Sequence, residues 1–102
     1  TLHLSSAASD VYKRQDLGNA NLSNSNLSNT YMNGANLSEA TLVKTNLSGA
    51  ELELADFSQA LFVNVNLIEA YLLHASISED QLNNARLCKT VLPDASISYR
   101  DC

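Results

Sequence analysis

The sequence predicts an all-β solenoid, a stack of short coils, running from residue 16 to residue 77. Three observations carry this. First, a large apolar residue recurs at every fifth position: Leu17, Leu22, Leu27, Met32, Leu37, Leu42, Leu47, Leu52, Phe57, Phe62, Leu67, Leu72 and Ile77. Second, from Leu22 on, a small residue stands two positions earlier: Ala20, Ser25, Thr30, Ala35, Ala40, Thr45, Ala50, Ala55, Ala60, Val65, Ala70 and Ala75, of which only Val65 exceeds Thr in size. Third, a strict spacing of five matches neither the period of 2 of a strand nor the 3.6 of a helix. Self-similarity at a fixed period is the mark of a repeat architecture.

Five residues suit one short extended segment with a corner at each end. Two of the five then point inward, one large and one small. The other three meet water and read mostly as Asn, Asp, Ser, Glu and Gly. The expected core is therefore the large column from Leu22 to Ile77, with Phe57 and Phe62 on adjacent segments filling one layer together. Asn26, Asn46 and Asn66 each precede an inward Leu and align at a spacing of twenty. They read as an amide ladder. Four N-x-S triplets, at Asn21, Asn26, Asn36 and Asn46, match the glycosylation acceptor pattern. They read as by-products of the repeat.

The runs ANLSN, ANLSEA and TNLSGAELELADFSQA resemble the pentapeptide-repeat family, whose consensus is A(D/N)LXX. The resemblance covers residues 16 to 77 without a gap. It implies a right-handed quadrilateral β-helix with four pentapeptides per coil, and hence a second period of twenty. The small residues sort at that spacing: Ala20, Ala40 and Ala60 in one column, Ala35, Ala55 and Ala75 in another, and the non-alanines Ser25, Thr45 and Val65 in a third.

Residues 1 to 15 lack the repeat. Ser5 to Gln15, SSAASDVYKRQ, resembles the translation of a transposase adapter used in sequencing libraries. These residues are expected to be a non-native or disordered arm, and the native protein to continue upstream in five-residue register. The whole chain carries a formal charge of -5. Setting aside Lys13, Arg14 and Asp10 leaves four basic and ten acidic residues, near -6.

Beyond Ile77 the large column continues at Leu82, Leu87, Leu92 and Ile97, but the small column meets Asp80. Ser78 and Gln81 instead form a capping-box signature, with Glu79 and Asp80 suiting a first helical turn. A short helix is expected over one more coil, with Leu82, Ala85 and Arg86 along one side. Residues 78 to 102 are thus expected to be a capping helix and tail. Pro93-Asp94 signals a turn. LCKTVLPDASISYRDC resembles a tail seen on cyanobacterial pentapeptide-repeat proteins, where Gly usually follows Pro-Asp. Ala95 departs from that, which leaves a turn with positive φ there open.

No residue set suggests catalysis, and none suggests a cofactor or metal. Cys88 and Cys102 lack the further ligands a metal needs. They are expected to be reduced, a disulfide being the minority alternative. His74 is expected at a solvated corner. Glu51, Glu53 and Asp56 are close in sequence but occupy outward positions with no enclosing pocket, whereas acid–base work needs opposed carboxylates with shifted pKa values. The hydroxyls have no adjacent base. The basic count is too low for a nucleic-acid surface, and no apolar run reaches membrane-spanning length. A cytoplasmic location is expected.

The apolar outward residues Leu61, Val63, Ile68, Tyr71 and Leu73 fall within thirteen residues of the last coil and suggest a patch covered by the C-terminal segment or by a second subunit. The leading expectation is a non-catalytic structural or interaction module with an unidentified protein partner, or a homodimer pairing through that patch. The alternative, implied by the resemblance, is a DNA-mimicking inhibitor of a DNA enzyme such as gyrase. Within residues 16 to 77, Asp16, Glu39, Glu51, Glu53, Asp56 and Glu69 against Lys44 alone give it an acidic but sparse surface.

Overall fold

The computed structural model describes residues 15–102. Its strands are short: β1 (Thr41–Val43), β2 (Leu61–Val63), β3 (Val65–Asn66), β4 (Ala85–Arg86), β5 (Thr90–Val91) and β6 (Ile97–Ser98), with one helix, α1 (Glu79–Asn83), between β3 and β4. β1 pairs with β2 and β3 with β4 in parallel, while β5 and β6 are antiparallel. The remaining ladder consists of single parallel bridges. Each joins residues twenty apart, as in Asn26 to Asn46, Asn46 to Asn66, Tyr31 to Glu51 and Glu51 to Tyr71. The chain therefore lies back on itself after every four five-residue segments. Residues five apart occupy successive segments of one coil, and residues twenty apart stack.

The sequence enforces this corner by corner. A left-handed residue recurs every fifth position from Asn19 to His74, with φ near +60°. One residue later, the N–H often closes a turn, as where Ala20 donates to the Leu17 carbonyl at 3.0 Å and Ala55 to that of Leu52 at 3.1 Å. Asn and Gly tolerate this conformation best. Where an Asn or Asp precedes the inward residue, it folds its side-chain oxygen onto the N–H two residues on: Asn21 accepts from Ser23 at 3.1 Å and Asp56 from Ser58 at 2.9 Å. That Asx turn is why Asn and Asp suit this position. It also corrects the amide-ladder expectation. Asn26, Asn46 and Asn66 align, but their oxygens accept from Ser28, Ser48 and Ile68 within their own segments, not from one another.

Leu22, Leu27, Met32, Leu37, Leu42, Leu47, Leu52, Phe57, Phe62, Leu67 and Leu72 are all buried in one cluster with the small column. Phe57 and Phe62 meet edge to face, centroids 5.3 Å apart. Ile77 differs: it is only partly buried, because the segment after it leaves the stack as helix. Three threonines of the small column stay inside by satisfying their hydroxyls on carbonyls, Thr30 on Leu27 and Thr45 on Leu22, with Thr90 on Leu67.

Ser78 caps α1 with the reciprocal Ser78–Gln81 capping box. The helix is only five residues long, so Ala85 and Arg86 lie in β4 rather than along its side. The repeat does not stop at Ile77. Ala85 pairs with Val65, Arg86 with Asn66 and Val91 with Tyr71, each at a spacing of twenty, and Leu87 and Thr90 are buried. Helix and further coil are thus both present, one replacing a single segment of the other.

The tail then reverses. Ala95 adopts φ 75°, and Leu92 donates to the Ser96 carbonyl at 2.8 Å, which brings β6 back along β5. That reversal places Cys102 4.9 Å (Cα–Cα) from Cys88, within disulfide reach. The pair is bonded, which corrects the reduced state expected for it. At the other end, the adapter-like stretch falls outside the described residues except for Gln15. Gln15 belongs to the first coil, since its carbonyl accepts from Asn36 N–H at 2.8 Å.

Candidate interaction surface

A spacing of twenty sorts the outward residues into sides. The segments beginning at residues 31, 51, 71 and 91 stack on one another: Tyr31, Glu51, Tyr71 and Val91 form one bridged column. The next outward column is linked by Gly34 N–H to the Glu53 carbonyl at 2.8 Å and by Leu54 N–H to that of Leu73 at 3.0 Å. Together these columns present Tyr31, Leu54, Tyr71 and Leu73, with Glu51 and Glu53 among them. Tyr31, Leu54 and Tyr71 are exposed, Leu54 by 61 %. Among the described residues the side carries no Lys or Arg.

Leu54 stands out on a second count. Like Glu39, Lys44, Gln59, Glu69 and His74 it sits at a left-handed corner, φ 64°, but it is the one apolar side chain at these corners from Asn19 to His74. Neither the backbone nor the core accounts for leucine here. The Asn33 amide spans the same surface, donating to Glu51 at 3.2 Å and accepting from the Glu53 N–H at 2.9 Å. It holds the Glu51 carboxylate between the two tyrosine positions.

The five residues grouped from sequence as one patch do not share a side. Leu61 and Val63 lie in β2 against β1, half a coil from Tyr71 and Leu73. Ile68 lies in the intervening segment, whose Asn66 bridges to Asn46 in the coil before. The cause is geometric: neighbours in sequence turn a corner every five residues, whereas neighbours in space are twenty apart. Tyr31 and Leu54 were missed for the same reason. Sorting every outward residue by its remainder on division by twenty would have found them.

The other expected positions are equally plain. His74 is exposed at its corner. Asp56 lies around the corner from Glu51 and Glu53, and its pKa is held below the ordinary carboxylate value by its bonds to the Ser58 hydroxyl and N–H. A shallow recess near the tail is lined by Asn64, Asn66, Arg86 and Arg100. The Arg100 guanidinium there is already committed to the Leu82 and Ala85 carbonyls and to Asp101. Among the described residues no group of three His, Cys, Asp or Glu stands close enough to hold a metal. Among the same residues no helix is long and apolar enough to cross a membrane.

A family model for pentapeptide repeats matches residues 16–53 and 50–87, in 8 copies. No curated protein matches the chain.

Proposed function

The chain belongs to the pentapeptide-repeat family, and we propose that it is a non-catalytic interaction module: a right-handed quadrilateral β-helix that docks a protein partner on the Tyr31–Tyr71 side. The observation that carries this is Leu54. An exposed leucine in a left-handed corner costs backbone energy and adds nothing to the core. Flanked by Tyr31 and Tyr71, it makes the apolar anchor that protein interfaces use. Residues 78 to 102 close the end of the stack and leave this side open.

Two further assignments go with that reading. A second copy of the chain pairs through Leu61 and Val63, exposed by 54 % and 37 % on the opposite side. And the bonded Cys88–Cys102 pair favours an oxidising compartment over the cytoplasm. Mimicry of duplex DNA against an enzyme such as gyrase is the weaker alternative. Its carboxylates, Asp16, Glu39 and Asp56 on one side, Glu51 and Glu53 on another, Glu69 on a third, are spread around the coil rather than ranked along it.

Affinity capture from the source cell tests the docking side. Proteins retained by the parent chain should be lost with Tyr31→Ser/Leu54→Asn/Tyr71→Ser and kept with Leu61→Ser/Val63→Ser. Equal retention by both triple and double variants contradicts the assignment.

A further inference from the structure

Resting on that docking side, we propose that its partner is an extended basic segment whose arginine seats on Glu51 between Tyr31 and Tyr71, with a neighbouring apolar side chain against Leu54 and Leu73. Four observations lead here. Tyr31, Glu51 and Tyr71 follow one another in a single bridged column, one coil apart. Stacked backbones lie about 4.8 Å apart, so the Tyr31 and Tyr71 backbones stand roughly 10 Å apart with Glu51 between them. A planar guanidinium fits that gap, meeting a π face on either hand while its N–H fork reaches the carboxylate. Lysine offers only a point charge and fits less well.

The second observation is charge. Among the described residues, Glu51 and Glu53 face water on a side without Lys or Arg, and neither forms an ion pair. The third is preorganisation. Asn33 occupies Glu51 Oε1 at 3.2 Å and fixes the carboxylate while leaving its second oxygen open. The fourth argues against self-association here. A two-fold pairing of this side would set Glu51 and Glu53 against their own copies in a desolvated contact, which like charges oppose.

The test uses the full chain, 15N-labelled, titrated with three capped pentapeptides: Gly-Leu-Arg-Leu-Gly, its lysine counterpart and its citrulline counterpart. Citrulline keeps the shape and removes the charge. The arginine peptide should shift the amides of Tyr31, Glu51, Leu54 and Tyr71 and leave Leu61 and Val63 unmoved. Citrulline should weaken binding by at least about tenfold, and Glu51→Gln should weaken the arginine peptide alike. Arginine and citrulline peptides binding equally at Leu54 would overturn the arginine seat and leave the docking side standing. No shift on this side at millimolar peptide, or shifts centred on Asp16, Glu39 and Asp56, would overturn both. Concentration-dependent shifts of Tyr31 and Tyr71 without peptide would show a second copy as the occupant and sink the proposal.

Discussion

The side-chain amide of Gln81 donates to the Ala60 carbonyl at 2.9 Å, twenty-one residues earlier. In the two coils before it, that spacing belongs to the backbone: Thr41 N–H donates to Ala20 and Leu61 N–H to Ala40, both at 2.9 Å. At Gln81 the backbone N–H has been turned to the Ser78 hydroxyl by the helix cap. The side chain replaces the donor that the helix removes, and it also reaches the Phe57 carbonyl at 2.7 Å. The helix is thereby grafted onto the stack without leaving the exposed edge that an interrupted ladder would present.

Gln81→Leu should therefore cost about 1–3 kcal/mol, since two carbonyls lose their donor and the Ser78 N–H loses its acceptor together. Ser78→Ala, which removes one capping bond, should cost about 1 kcal/mol. Urea denaturation of the two variants checks the order. A smaller loss for Gln81→Leu than for Ser78→Ala would mean that the bonds across the stack contribute little.

Ala95 holds φ 75°, a conformation that costs a non-glycine residue about 1–2 kcal/mol. Ala95→Gly should raise stability, by about 1 kcal/mol after the added freedom of the unfolded chain is subtracted. Thermal unfolding under oxidising conditions reads this out. A loss of stability would place Ala95 in a different backbone region.

Asp101 fastens the tail from both directions. Its Oδ2 accepts from Leu87 N–H at 2.8 Å, and its own N–H donates to the Leu87 carbonyl at 2.8 Å. The Arg100 side chain, then the Leu87 N–H, hold its pKa below the ordinary carboxylate value. A lowered folded pKa contributes stability that is present above the unfolded value, about 3.9. That contribution is lost as pH falls through the folded value. The Leu87 amide resonance should accordingly titrate below about pH 4, and Asp101→Asn should abolish the titration. A midpoint above 4 would contradict the clasp.

Inward and outward positions should respond oppositely to charge. Leu47 is fully buried in the second coil, and Leu47→Asp strands a carboxylate there without a partner. A loss above about 4 kcal/mol, and with it the fold, is expected. Asn46→Asp should be tolerated, because Asp56 already makes the same Asx turn at the equivalent position. Comparable loss of the β signature by circular dichroism in both variants would refute the assignment of sides.

The core and the helix start were legible because each rests on local spacing. Leu22 to Leu72 announce themselves by fives, and Ser78 and Gln81 by a gap of three. The proposed docking side was not legible from a linear scan, because Tyr31, Leu54 and Tyr71 are scattered in sequence and meet only through the return of the coil. Leu61 and Tyr71 show the converse: ten residues apart, they seemed neighbours and lie half a coil from each other. The Gln81 graft was hidden because a side chain there stands in for a backbone group. The disulfide was hidden because the tail's reversal depends on Ala95 taking a conformation that its residue type disfavours.

Spin labels measure that geometry directly. Single nitroxides are placed in pairs at residues 31 and 71 and, separately, at 61 and 71, with Cys88–Cys102 left bonded. Dipolar broadening should be strong for 31 and 71, whose backbones stand about 10 Å apart as two coil spacings, and weaker for 61 and 71. Stronger broadening between 61 and 71 than between 31 and 71 would contradict the twenty-residue return, and with it the docking side.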